Sequence, residues 1–373
     1  MLTLKPYNQL SEEKKKLINT CINTDDNIFL EGPPWSGKSL TCMYGLRNVI
    51  ENKNASALFM VSNNAMYGFM SMSLRELGID GLVDIDTKNK LFWKMAKDKR
   101  LSVNLDADYH ENYDSILTNL LNEDIDKRYD LIIVNEVQDY LPKEWEMIKL
   151  ISKRVVCYGD FNQAIYSNKV SRDTIMKDCV YKQLDYLSDD IATNKLIKIR
   201  DCFFGDNAAV KAMCEGGESL IENKDDYSMG EGYSFIDVEY ENEFKAIANK
   251  IKDLRVENSR VAIVCPNNNK FAELSIYLEN HDVEHRYYEI NEDLREHDFT
   301  STTPLFLSIF NAEGLQFDNV ILFGFDKSNY IIQMKRRENK LKNILYVGMT
   351  RARNTTYIIR TMNTVKELMD LKD

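Results

Sequence analysis

The residues Gly32-Pro33-Pro34-Trp35-Ser36-Gly37-Lys38-Ser39 fit the spacing G-x-x-x-x-G-K-[ST], a P-loop suited to holding a phosphate chain. Glycine at 32 and 37 lets the backbone pass close enough for its N–H groups to face an anion. A helix starting at Lys38 would turn its positive dipole end to the same point. Lys38 would reach the β- and γ-phosphates, and Ser39 would offer a hydroxyl to Mg²⁺. Two more segments could complete such a site. Asn135-Glu136-Val137-Gln138-Asp139 follows an apolar run, where a carboxylate can hold Mg²⁺ or orient an attacking water. Glu136 is the candidate base. Gly159-Asp160-Phe161-Asn162-Gln163-Ala164-Ile165-Tyr166 follows another apolar run, and Gln163 there can sense a γ-phosphate by hydrogen bonding.

The elements that must position these residues alternate. Ile28-Phe29-Leu30 reads as a buried strand, and Leu40, Met43, Leu46 and Ile50 mark the helix after the loop. A strand at 57–62, a helix at 65–77, a short strand at 83–85 and a helix at 88–97 follow. Residues 99–128 look polar and irregular, with room for only a small insertion. Leu131-Ile132-Ile133-Val134 and 154–158 are strands. The polar stretch 187–190 suggests a boundary. The alternation then restarts: strand 233–238, helix 241–254, strand 260–265, helix 270–278, strands 305–309 and 320–325, helix 339–353 and strand 356–359. This pattern predicts an α/β protein with two parallel-sheet domains, 1–190 and 191–373. Only the first carries the P-loop, which suggests nucleotide held between them.

Composition narrows the class. Hydrophobic residues make up 44% of 373, enough for sizeable cores. No run reaches the length of about 18 apolar residues that a membrane span needs, and the N-terminus shows no signal-peptide pattern. The net charge of −11 argues against coating nucleic acid by bulk electrostatics, though a narrow basic groove remains compatible with it. The 7 cysteines are odd in number and form no C-x-x-C pair, so they read as small buried residues of a reducing, cytoplasmic compartment. His281 and His285 lack companion ligands and read as surface residues. Trp93 and Trp145 fall on helical patterns and read as core. Lys14-Lys15-Lys16 reads as a solvated helix face.

Together, the P-loop, Asn135–Asp139 and 159–166 resemble superfamily one helicases of the UvrD/Rep/PcrA type, where P-loop, DE-x-QD and GD-x-x-Q-x-IY occur in that order. Ser62-Asn63-Asn64-Ala65 is similar to the family's T-N-K-A segment. Residues 305–317 (LFLSIFNAEGLQF) resemble the motif ending KGLEF, and 344–353 (ILYVGMTRAR) resemble YVA-x-TRAR. The likeness runs from about residue 11 to 360. It implies two RecA-like domains binding ATP and Mg²⁺, and single-stranded DNA or RNA as partner. Gly32, Gly37, Lys38 and Ser39, with Gly314 and Gln316, would serve the nucleotide. Ser39, Asn135 and Glu136 would serve the metal. Glu136 would activate water, Gln163 would couple the γ-phosphate to the strand, and Arg351 would be an arginine finger. Arg200 would be a second γ-phosphate arginine. Ser62, Asn63, Asn64 and Tyr166 would contact nucleic acid.

The chain departs from this pattern in several places. Asn135 replaces the aspartate that positions Mg²⁺ through water, removing one negative charge from the metal's surroundings. Glu313 stands at the lysine of KGLE, and Ile199 stands at a tyrosine that stacks on adenine. Ser167-Asn168-Lys169 replaces an aromatic segment, and Lys14 occupies the place of an adenine-reading glutamine. The large insertions of the family are absent. Two readings follow. One is an ATP-driven motor on a single strand. The other is an ATP-dependent switch with weak hydrolysis that signals to a protein partner such as a nuclease.

Overall fold

The computed structural model describes residues 4–53, 55–104, 106–184, 193–204 and 232–371. The boundary expected at 187–190 lies outside them. Two compact units result. The first takes in the described residues up to Pro33, then Gly37–Phe161 and Asn168–Leu184. The second takes in Pro34–Ser36, Asn162–Ser167 and the described residues from 193 onward.

The first unit is built on β1 (Ile28–Glu31), β2 (Ala57–Val61), β3 (Asp84–Thr87), β4 (Leu131–Val134), β5 (Val155–Gly159) and β6 (Val180–Gln183). They pair in parallel in the order β3-β2-β4-β5-β1-β6. Strands β1, β2, β4 and β5 are buried along their whole length, as parallel strands covered on both faces must be. The connecting helices are α1 (Glu12–Asn23), α2 (Lys38–Lys53), α3 (Asn64–Glu76), α4 (Lys88–Asp98), α5 (Tyr109–Leu121), α6 (Pro142–Ile151) and α7 (Arg172–Asp178).

Helix α5 corrects the reading of 99–128 as irregular. Its buried residues Tyr113, Ile116, Leu117 and Leu120 have helical spacing, and Asp108 caps it by accepting from Glu111 N at 2.9 Å. Polar flanks hid that stripe. Trp145 is fully buried, and its indole donates to Asp178 at 2.7 Å. Trp93 is only half-buried against the same core.

The second unit's strands β7 (Tyr233–Asp237), β8 (Val261–Cys265), β9 (Leu305–Ser308), β10 (Phe317–Leu322) and β11 (Ala352–Arg360) pair in parallel in the order β7-β11-β10-β8-β9. Its helices are α8 (Thr193–Phe204), α9 (Glu243–Arg255), α10 (Phe271–Glu279), α11 (Ile309–Ala312), α12 (Tyr330–Arg337), α13 (Leu341–Met349) and α14 (Lys366–Met369). Strand β11 starts at Ala352, four residues before the expected strand, so the TRAR segment straddles a helix end and a strand start. His285 is not a plain surface residue. It is half-buried, stacked on Phe306 at 5.1 Å, and shares a 2.7 Å hydrogen bond with Ser275. Among the described cysteines, Cys42, Cys157, Cys179 and Cys265 are buried, as expected, while Cys202 is exposed.

Candidate active site

All functional segments of the first unit leave the carboxyl ends of its parallel strands. The chain passes from β1 into the P-loop, with Gly32 N bonded to Gly159 O at 3.3 Å. Gly37 has φ +85°, a left-handed conformation that glycine adopts freely. Trp35, the residue without a reading from sequence, has φ +65° and carries part of the same turn. Helix α2 then begins, with Thr41 N bonded to Gly37 O at 2.9 Å. Lys38 Nζ donates to Gly32 O at 2.7 Å and to Pro33 O at 2.9 Å, so the ammonium lies over its own loop. The hydroxyls of Ser36 and Thr41 are buried without a hydrogen-bond partner among the described residues. A phosphate chain suits this cradle: it offers acceptors to orphaned donors at a helix N-terminus.

Lys14 is a correction. Far from forming a solvated face, it is 94% buried. Its Nζ lies 3.3 Å from the point where a Cβ on Gly37 would stand. Burial, with Lys5 nearby, lowers its pKa. No acceptor for that ammonium occurs among the described residues.

Glu136 follows β4 at φ 50°, ψ 58°, a left-handed conformation costing a non-glycine residue roughly 1–2 kcal/mol. Its carboxylate is buried and accepts from Gln138 Nε2 at 2.9 Å. Gln138 Oε1 in turn accepts from Asp160 N at 3.2 Å. The base is therefore fixed by a side chain from its own segment and by the backbone after β5. Asn135 is fully buried; its Oδ1 accepts from Ser62 Oγ at 3.3 Å, and its Nδ2 donates to Tyr158 Oη at 2.8 Å. Ser39, Asn135 and Glu136 are all oxygen donors of the kind Mg²⁺ takes, and one or two protein ligands suffice when phosphates supply the rest. Ser39 would bind Mg²⁺ directly and Asn135 through water. When bound, the metal would draw charge from the phosphate oxygens.

In the second unit Gln163 and Arg351 meet. Gln163 Oε1 accepts from Arg351 Nη2 at 2.6 Å. The buried guanidinium also donates to Val347 O (2.9 Å), Leu315 O (3.3 Å) and Thr350 Oγ1 (3.0 Å). It thus caps the last carbonyls of α13 and ties them to the turn at Gly314, whose φ is +81°. Gln316 is half-buried just beyond that turn. On α8, Arg200 Nε is buried with no hydrogen-bond partner among the described residues, while Ile199 is fully buried. The Tyr166 ring lies 5.7 Å from Phe310, and Lys335 Nζ sits 5.4 Å from its centroid.

Residues 85–180 match the UvrD/REP helicase N-terminal domain, and residues 290–363 match the UvrD-like helicase C-terminal domain. The chain belongs to the UvrD/Rep-like helicases. No curated protein matches it. Among solved structures, the C-terminal domain of a possible DNA helicase from Lactobacillus plantarum is similar over 50% of this chain and 95% of its own, at 13% identity and a TM-score of 0.35. UvrD-type helicases use ATP with Mg²⁺. Among the described residues, no helix is long and apolar enough to cross a membrane.

For this UvrD-like helicase, the structure brings Ser39, Asn135 and Ser62 into one network in the first unit, and Gln163 and Arg351 together in the second. Asn63 is spent locally, capping α3 by accepting from Met66 N at 2.8 Å. Asn64 is the first residue of that helix. Sequence reasoning did not single out Tyr158 or Gln138. Tyr158 looked like one more aromatic on a buried strand; Gln138 was visible in NEVQD but had no assigned task.

Gly159 shows how tight the support of Glu136 is. A Cβ there would stand 2.2 Å from Gln138 Oε1 and 3.3 Å from Val137 N. Gly159→Ala should push Gln138 aside, release Glu136 and lower ATP turnover by about 10- to 100-fold, with nucleotide affinity kept. Steady-state turnover alongside nucleotide binding checks this, and unchanged turnover would show that Gln138 does not hold the base.

Proposed function

We propose that this chain is an ATP-dependent motor acting on single-stranded nucleic acid. The observation that carries this reading is the first unit's phosphate cradle beside a buried, hydrogen-bonded base: Lys38 and Ser39 on the P-loop, Glu136 held by Gln138. Glu136 takes a proton from the attacking water, and Lys38 with the α2 N-terminus meets the charge developing on the phosphates. Arg351 and Arg200 are the further cations for the γ-phosphate. The orphaned Lys14 ammonium is suited to a lone pair on the bound nucleotide. Tyr166, with Phe310 and Lys335, has the aromatic and cationic character that stacks bases without reading sequence. Ser62–Asn64 supports the strand from the first unit.

ATP turnover with and without single-stranded DNA and RNA tests the proposal. A several-fold rise with a strand is expected. If neither nucleic acid binds at moderate salt or changes the rate, the motor reading is wrong and a switch acting on a protein partner takes its place. Asn135→Asp returns one negative charge to the metal's surroundings. The variant should reach half-maximal rate at several-fold lower Mg²⁺. An unchanged Mg²⁺ titration would rule out charge as the consequence of Asn135.

A further inference from the structure

The buried residues around Ser39 form a connected set that the P-loop reading does not use. Ser62 Oγ donates to Asn135 Oδ1, and Asn135 Nδ2 donates to Tyr158 Oη. The Tyr158 phenol is also hydrogen-bonded to the Ser39 side chain. These residues come from four segments. The parallel register explains why they meet: Val134 pairs with Cys157, so the next residues, Asn135 and Tyr158, leave β4 and β5 side by side. Leu30 pairs with Tyr158, which sets the phenol beneath the P-loop that follows β1. Asn135 and Tyr158 are both fully buried. In such surroundings a hydroxyl or amide is held firmly in one orientation, because turning away leaves it unsatisfied.

We propose that Tyr158 is a positioning residue for the metal: its phenol, held by the Asn135 amide, aims the Ser39 hydroxyl at bound Mg²⁺. The hydrogen bond to Tyr158 fixes the Ser39 rotamer and turns an oxygen lone pair toward the cation. An aspartate at 135 would carry charge but no N–H to give the phenol; asparagine has that N–H. Asn135 and Tyr158 thus act as a neutral unit that orients the metal ligand by hydrogen bonding instead of attracting the metal by charge. Ser62 anchors the far end. The proposal rests on the P-loop holding a Mg²⁺–nucleotide, and outer partners of this kind are worth about 10- to 100-fold in metal affinity.

The test is Tyr158→Phe in the full chain, which removes one oxygen and keeps the ring. Binding of a non-hydrolysable ATP analogue is followed calorimetrically in EDTA and across a Mg²⁺ titration, with Mn²⁺ binding read separately by electron paramagnetic resonance. The wild type should bind the analogue more tightly with Mg²⁺ than in EDTA. In Tyr158→Phe, the metal concentration for half-saturation should rise about tenfold or more, with affinity in EDTA unchanged. A merely structural phenol would lower Tm and leave the metal half-saturation where it was, and that result overturns the proposal. Ser62→Ala keeps the test open if Tyr158→Phe fails to fold. It loosens Asn135 from a half-exposed position and should raise the half-saturation about threefold; no change there also overturns it. A wild type that binds no nucleotide under any condition would instead defeat the P-loop reading itself.

Discussion

Glu136→Gln is expected to lower ATP turnover by about a thousandfold while ATP affinity changes by less than about threefold. The substitution keeps shape and removes the proton acceptor. Glu136 is well placed for a clean result. Its backbone already sits at φ 50°, and Gln138 Nε2 donates to its carboxylate at 2.9 Å. The glutamine Oε1 can accept the same bond, so the fold around β4 should survive with little change in Tm. Turnover and nucleotide binding measured on the same preparation decide the matter. If affinity falls as far as turnover, Glu136 binds nucleotide and is not the base.

Arg351→Ala is expected to cut turnover by about a thousandfold or more, the scale associated with an arginine finger. Here the structure adds a second effect. The guanidinium satisfies Val347 O and Leu315 O, so its removal leaves buried carbonyls unmet, at about 1–3 kcal/mol of stability. Tm should therefore fall together with turnover. Arg351→Lys separates the two roles. Lysine keeps the charge but cannot fork across Val347, Leu315, Thr350 and Gln163 at once. If lysine restores Tm without turnover, the planar fork is needed for chemistry. If nucleotide affinity and turnover drop equally in Arg351→Ala, the finger role fails.

Several features were legible in the residues alone because they depend on neighbours along the chain. The P-loop needs glycine where φ is positive and a lysine and serine at the helix start, and all of that lies within eight consecutive residues. The strands of both sheets showed as short apolar runs because parallel strands are buried on both faces. Helix α5 was missed though its apolar residues carry the right period; the polar residues between them outweighed the stripe. Lys14 was misread for a related reason. Charged neighbours at 12, 13, 15 and 16 suggested a wet face, but α1 turns Lys14 inward beside Gly37.

By itself the sequence determined the order of the segments, the phosphate cradle, the identity of the base and the family to which they point. Each of these is a property of a short stretch of chain. Only the tertiary structure decided what the polar side chains do to one another. Asn135 looked like a lost charge; beside Tyr158 it is a hydrogen-bond donor. Arg351 looked like a free finger; beside Val347, Leu315 and Gln163 it is also a cap. The reason is physical. A hydrogen bond is set by position to within a few tenths of an ångström, and the register of non-consecutive parallel strands, not spacing along the chain, sets that position.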